Sequence, residues 1–192
     1  PHHFTLTDEC LRSFDSNFKM NPPLRTKDDV EAVIEGLRDG TIEILATDHA
    51  PHAKEKKDRE LDLAPFGIVG LETLIPITVA SLIEPGYLTW PEVIRKLTIA
   101  PANLLRLPKG SLRPGSDADV TLIDPLTEWT IDPAKFRSKS RNTPFGGWKV
   151  RGRAHTVIVN GEVRYTLPPA SAPTAEPSAA DSAPVAPVPS SP

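Results

Sequence analysis

Apolar positions along the chain fall into two regimes, helical spacing before Gly110 and strand-like alternation after it. Val30, Val33, Ile34 and Leu37 recur at i, i+3, i+4 and i+7, and Thr26 with Asp29 makes a capping-box-like pair ahead of them. The spacing predicts a helix from Thr26 that Gly40 ends as a C-cap. Residues 42–47 then read as a short strand, apolar on both sides, of the kind buried in a parallel sheet. Helix, tight turn and buried strand together make an α/β repeat. Residues 68–82 are strongly apolar and predict a buried helix in spite of Pro76. Thr89-Trp-Pro-Glu starts another, with Pro91 in the first turn where its missing N–H costs least. A short helix follows over 101–107. Residues 1–25 read as irregular, since NPPLR at 21–25 is too proline-rich for a helix.

Beyond Gly110 the spacing shortens. Residues 119–124 and 128–131 predict two strands, and residues 156–165 a hairpin with Asn160-Gly161 as its type I′ turn. An α/β part over residues 1–110 is thus expected to give way to a small β part over 111–166. Residues 53–65 (AKEKKDRELDLAP) carry so much charge that a solvated loop is the simpler expectation, and a mobile flap over a site the alternative.

Composition changes this picture at one end. From Leu167 to Pro192 the chain offers prolines and almost nothing to bury, so a disordered tail is expected over 167–192, with a Pro-rich docking peptide as the functional alternative. The net charge of -3 gives no electrostatic footprint for nucleic acid. No apolar run reaches the roughly 18 residues of a membrane span. The chain shows no basic-then-apolar leader, and its single cysteine, Cys10, excludes an internal disulfide. A cytoplasmic location is the expectation. The chain starts at Pro1 without an initiator Met, which reads as a piece of something longer.

Candidate chemistry concentrates in Ile44-Leu-Ala-Thr-Asp-His-Ala-Pro-His52. In parallel α/β proteins catalytic side chains lie at the C-terminal ends of strands, and Asp48 occupies that position after residues 42–47. Asp48 reads as a metal ligand, a general base or both. His49 and His52 read as ligands, substrate donors or supporting groups. An Asp that merely caps a helix beside a satisfied His would look the same from this stretch alone. His2-His3 carries less information, and Cys10 reads as a small hydrophobe.

The order of motifs favours the site reading. PHH at 1–3, FKMNPPLR at 18–25, ATDHAPH at 46–52, PFGIVGLET at 65–73 and TPFGGWKVRG at 143–152 together resemble the C-terminal portion of a dihydroorotase of the bacterial long-chain type. TDHAP alone also fits hydantoinase- and allantoinase-like relatives, whereas KMNPPLR with DHAPH is particular to the dihydroorotase branch. The resemblance implies the amidohydrolase fold: the last part of a (β/α)8 TIM barrel over 1–110, then strands of a small β domain. It implies reversible hydrolysis of L-dihydroorotate to N-carbamoyl-L-aspartate in pyrimidine biosynthesis, with one or two zinc ions. Asp48 would then be a metal ligand and general acid/base. Asn21, His52, Phe66 and Gly67 would bind substrate, and His49 would be supportive.

The resemblance also implies ligands that this sequence lacks. A His-x-His belongs to the family pattern, and none occurs here. Asp48 alone cannot hold a zinc ion, which in catalytic sites takes three protein ligands. The 192-residue chain by itself is therefore expected to be inactive. Expected partners are the small-molecule substrate, a second copy in a homodimer, or aspartate transcarbamoylase; nucleic acid and membrane are not expected. Two other functions stay open: a non-catalytic dihydroorotase-like subunit scaffolding aspartate transcarbamoylase, and a hydantoinase-like cyclic amidohydrolase. Retention of Asn21, Asp48 and His52 favours an active parent over the first, and KMNPPLR argues against the second.

Overall fold

The computed structural model describes residues 1–168, so the expectations for the tail beyond that point lie outside the described residues. The first 25 residues are irregular, as expected, but three short 3-10 turns organise them at His2–Phe4, Asp8–Ser13 and Ser16–Phe18. Helix α1 spans Lys27–Asp39. Thr26 Oγ1 accepts from Asp29 N at 3.3 Å while the Asp29 carboxylate accepts from Thr26 N at 3.2 Å, so two orphan donors are satisfied reciprocally. Gly40 closes the helix at φ 87°, a left-handed turn that costs glycine little. Leu37 faces the core, with Val33 and Ile34 packed against it.

Residues 42–47 depart from expectation. Among the described residues they join no sheet, and the ladder-like contact nearby is a single parallel bridge between His49 and Ile68. Leu45 is buried, while Glu43 and Ala46 are exposed. The physical reason is that a parallel strand needs neighbours on its edges. Here Lys96 takes that place: its carbonyl accepts from Leu45 N at 3.2 Å, and its Nζ donates to Ile42 O at 2.6 Å. Residues 53–65 are also more ordered than a solvated loop, because helix α2 (Lys54–Lys57) forms within them.

The apolar 68–82 stretch is helical only in its second half. Helix α3 spans Leu74–Thr78 and passes into a π turn at Val79–Ile83. Pro76 falls at the third helical position, where its absent N–H would have had no intrahelical acceptor. Helix α4 (Trp90–Leu97) opens with the Thr89–Glu92 capping box, Thr89 N donating to Glu92 Oε2 at 2.7 Å. Helix α5 covers Ile99–Leu104 and so starts earlier than expected. Leu37, Ile77, Leu82 and Val93 meet in one core under these helices. Each such side chain contributes about 1.5–3 kcal/mol on burial.

The strands form one antiparallel sheet in the order β1-β2-β3, with β1 at Val120–Thr130, β2 at Lys149–Val159 and β3 at Glu162–Thr166, and a 3-10 turn at Pro133–Lys135 lies between the first two. The two strands expected at 119–131 are one. Between Asp124 and Glu128 the register shifts, and the Asp124 carboxylate accepts from Leu126 N, Thr127 N and Thr127 Oγ1 at 2.9, 3.1 and 2.6 Å. Those bonds satisfy the looped backbone that the missing ladder leaves free. The β2–β3 turn is the expected one, with Asn160 at φ 52° and Gly161 at φ 76°.

Strand β2 joins sheet to helices at Gly152. Its φ is 81°, and a Cβ there would lie 3.0 Å from Val79 Cγ2 and 3.6 Å from Ile75 Cγ2. The close approach of β2 to α3 and the π turn thus depends on glycine. Gly152→Ala should lower stability by about 2 kcal/mol through backbone strain and displacement of Val79. Urea unfolding checks it, and an unchanged midpoint would show the approach to be adjustable.

Candidate active site

Two loops meet where the sequence placed its chemistry. One runs from Asp48 to His52, the other from Phe66 to Leu71. Ala50 N donates to Ile68 O at 2.8 Å, and His49 Nδ1 accepts from Gly70 N at 3.1 Å and Leu71 N at 3.4 Å. Because Nδ1 accepts from backbone donors, the neutral His49 ring carries its proton on Nε2. His49 therefore acts as a backbone acceptor with no ring lone pair left for a metal.

His52 lies on the other side of the loop. Its Nε2 is 2.8 Å from Phe66 O, and since a carbonyl only accepts, Nε2 donates. The ring is thus fixed with Nδ1 free for another partner. Phe66 is 52% exposed, with Lys19 Nζ 4.6 Å from its ring centroid. Gly67 follows at φ 94°, its N donating to Lys19 O at 2.9 Å. A Cβ on Gly67 would sit 2.7 Å from Ala50 Cβ, so glycine lets the two loops touch.

Asp48 is exposed and holds φ 48°, a left-handed conformation uncommon outside glycine although aspartate tolerates it better than most. His3 lies within reach of its charge. Burial lowers the pKa of His3, and the Asp48 carboxylate pulls in the opposite direction. His2 is buried against His3, with ring centroids 4.3 Å apart. Asn21 is exposed, two residues beyond the Lys19 carbonyl that receives Gly67. The structure thus joins His52 to Phe66 by a hydrogen bond, ties Gly67 to Lys19 two residues before Asn21, and sets Asp48 at the start of the loop that His52 ends. Below Phe66 an apolar recess of about 600 Å³ opens between Phe14, Phe18, Met20, Leu24 and Leu61.

Two residues at this junction carry no motif and escape sequence reasoning. Asn142 is buried and spans the loops: Oδ1 accepts from His52 N at 3.2 Å, and Nδ2 donates to Ala50 O at 2.9 Å and Gly67 O at 3.2 Å. Its only sequence signal is its position just before TPFGGWKVRG. Lys57 is the second. It is 2% exposed, its Nζ donates to Pro65 O at 2.9 Å, and its carbonyl accepts from Ser16 Oγ. The charged segment is therefore stapled at both ends of the stretch leading to Phe66.

Among the described residues no three His, Cys, Asp or Glu side chains converge on a point that could hold a metal ion. Asp48 offers one carboxylate where catalytic zinc takes three protein ligands. The residues present do not by themselves fit the ion.

The profile of the amidohydrolase family matches residues 9–164, and the chain belongs to that family. Dihydroorotase of Syntrophotalea carbinolica is 53% identical over 167 residues, covering 87% of this chain and 39% of the relative. Dihydroorotase of Pelotomaculum thermopropionicum is 54% identical over 163 residues, covering 85% and 38%. Among solved structures, the L-hydantoinase of Arthrobacter aurescens superposes with a TM-score of 0.81 at 29% identity, covering 86% of this chain and 38% of that one. A D-hydantoinase from Thermus sp. gives a TM-score of 0.75 at 25% identity over the same shares. The fold is that of the amidohydrolase superfamily, and the chain spans under two fifths of the length of these relatives. No helix among the described residues is long and apolar enough to cross a membrane.

Lys57 gives the junction a pH signature. Burial lowers its pKa from 10.5 to about 8. Between those two values the unfolded chain holds the extra proton, so stability rises with pH across that window, and below about 8 the cost of the buried charge is felt in full. Lys57→Met removes this component. The urea midpoint of the native chain relative to Lys57→Met should climb from pH 8 to pH 10.5. Parallel pH profiles would show that the ammonium is solvated.

Proposed function

We propose that this chain forms part of a dihydroorotase, which reversibly hydrolyses L-dihydroorotate to N-carbamoyl-L-aspartate in pyrimidine biosynthesis. The observation that carries the reading is the identity of 53% and 54% with dihydroorotases, against 29% and 25% with hydantoinases of the same fold. In this reading residues 1–110 belong to the (β/α)8 barrel and 111–166 to the small β domain. A zinc requirement, a cytoplasmic location, and either a homodimer or association with aspartate transcarbamoylase accompany it.

The chain's own residues take the following parts. Asp48 accepts the proton of the attacking water as the C–O bond forms, and returns it to the ring nitrogen as the amide C–N bond breaks. The reverse order closes the ring. Asp48 stands exposed and left-handed at the loop's start. His52 and Asn21 bind substrate, and Phe66 and Gly67 border it. With Nε2 committed to Phe66 O, donation from His52 to a substrate carboxylate comes from Nδ1 and requires the doubly protonated ring. Asn21 offers both a donor and an acceptor. The hydantoinase-like alternative draws on the solved neighbours and differs in the cyclic amide accepted.

The test uses the intact gene product. Asp48→Ala should lower kcat by about 10³-fold, within the range of general acid/base groups. Near-native turnover of that variant would reject the role of Asp48, and faster turnover of a hydantoin than of dihydroorotate would replace the substrate. The 192-residue polypeptide alone should show neither stoichiometric zinc nor cyclisation of carbamoyl-aspartate.

A further inference from the structure

We propose that Asn142 is the positioning residue that sets the spacing of the two substrate-facing loops, an inference resting on the assignment of His52, Phe66 and Gly67 to substrate. Its amide is used in full across that junction. Oδ1 receives the N–H of His52, and the two Nδ2 protons go to the carbonyls of Ala50 and Gly67. The main chain adds a fourth tie, since Asn142 O accepts from Val69 N at 3.0 Å. A single side chain thus fixes where His52 leaves one loop and where Gly67 enters the other.

The partners admit one orientation and one residue type. A flipped amide would aim its NH₂ at the His52 N–H and its oxygen at two carbonyls. Aspartate would keep the acceptor and lose both donors, and glutamine would overshoot by a methylene. The stretch bearing Asn142 is itself held, because the Glu72 carboxylate accepts from Arg137 N at 3.0 Å and Ser138 N at 3.1 Å, and Phe145 is 1% exposed. Asn142 is buried behind the loops, so it touches their backbones and leaves the substrate side to His52 and Phe66. Its influence falls on binding geometry, while the proton transfer stays with Asp48.

The test compares Asn142→Ala and the isosteric Asn142→Asp with native protein in the intact gene product, by steady-state kinetics and residue-resolved amide exchange. Expected is a rise of about tenfold in KM for dihydroorotate with kcat within about threefold, as befits lost positioning bonds. The His52 amide should lose protection in Asn142→Ala and keep it in Asn142→Asp, which retains the acceptor, while those of Ala50 and Val69, which bond to main-chain acceptors, keep theirs in both. An unchanged KM in Asn142→Ala with its His52 amide still protected overturns the proposal. So does a parallel fall in kcat with protection lost at Val69, which marks a merely structural role. Should the native protein turn over no dihydroorotate, the functional reading falls, and the exchange pattern still decides for or against Asn142.

Discussion

A backbone that is neither helix nor sheet must still place its buried N–H and C=O groups somewhere, and residues 42–52 show how. The ladder that would have satisfied them is reduced to one bridge. Side chains take over: the Lys96 ammonium on Ile42 O, the His49 imidazole on Gly70 N, the Asn142 amide on Ala50 O. Orphaned backbone groups cost roughly 1–3 kcal/mol each, so these substitutes are obligatory partners. The candidate site inherits its shape from them. His52, Phe66 and Gly67 stand where they do because their own main chains are held.

Charge plays a smaller part in holding the molecule together. The ion pairs are mostly exposed i,i+3 and i,i+4 contacts, such as Arg38–Glu35 and Lys27–Glu31, which contribute little in water. Lys57 is different in kind. Its ammonium is enclosed and meets a carbonyl in place of a carboxylate, so it organises the 57–65 segment at some cost in stability.

The parts that were legible in the sequence are the parts decided locally. Helices α1 and α4 announce themselves through capping pairs three residues apart, and the β2–β3 hairpin through Asn160-Gly161. What misled was neighbour-dependent. The IEILAT run has strand composition, yet whether it becomes a strand depends on an edge beside it. The helix start moved from Ile68 to Leu74 because Ile68 and Gly70 are engaged with His49 and Ala50 some twenty residues away. Of the site, the motif residues were visible and the bridging Asn142 was not. Its partners lie 75 to 92 residues upstream, and a lone asparagine has no periodicity to reveal it.

The torsion at Asp48 has a consequence for which residues that position can ever hold. A left-handed backbone at φ 48° screens side chains by shape before chemistry is consulted: glycine, asparagine and aspartate pass easily, and β-branched residues do not. Only one of the three favoured residues carries a titratable oxygen. Glutamate, the other carboxylate, would add a methylene and lose the short side chain's ability to bond its own backbone. The conformation therefore narrows the titratable residues that fit this position easily to aspartate alone.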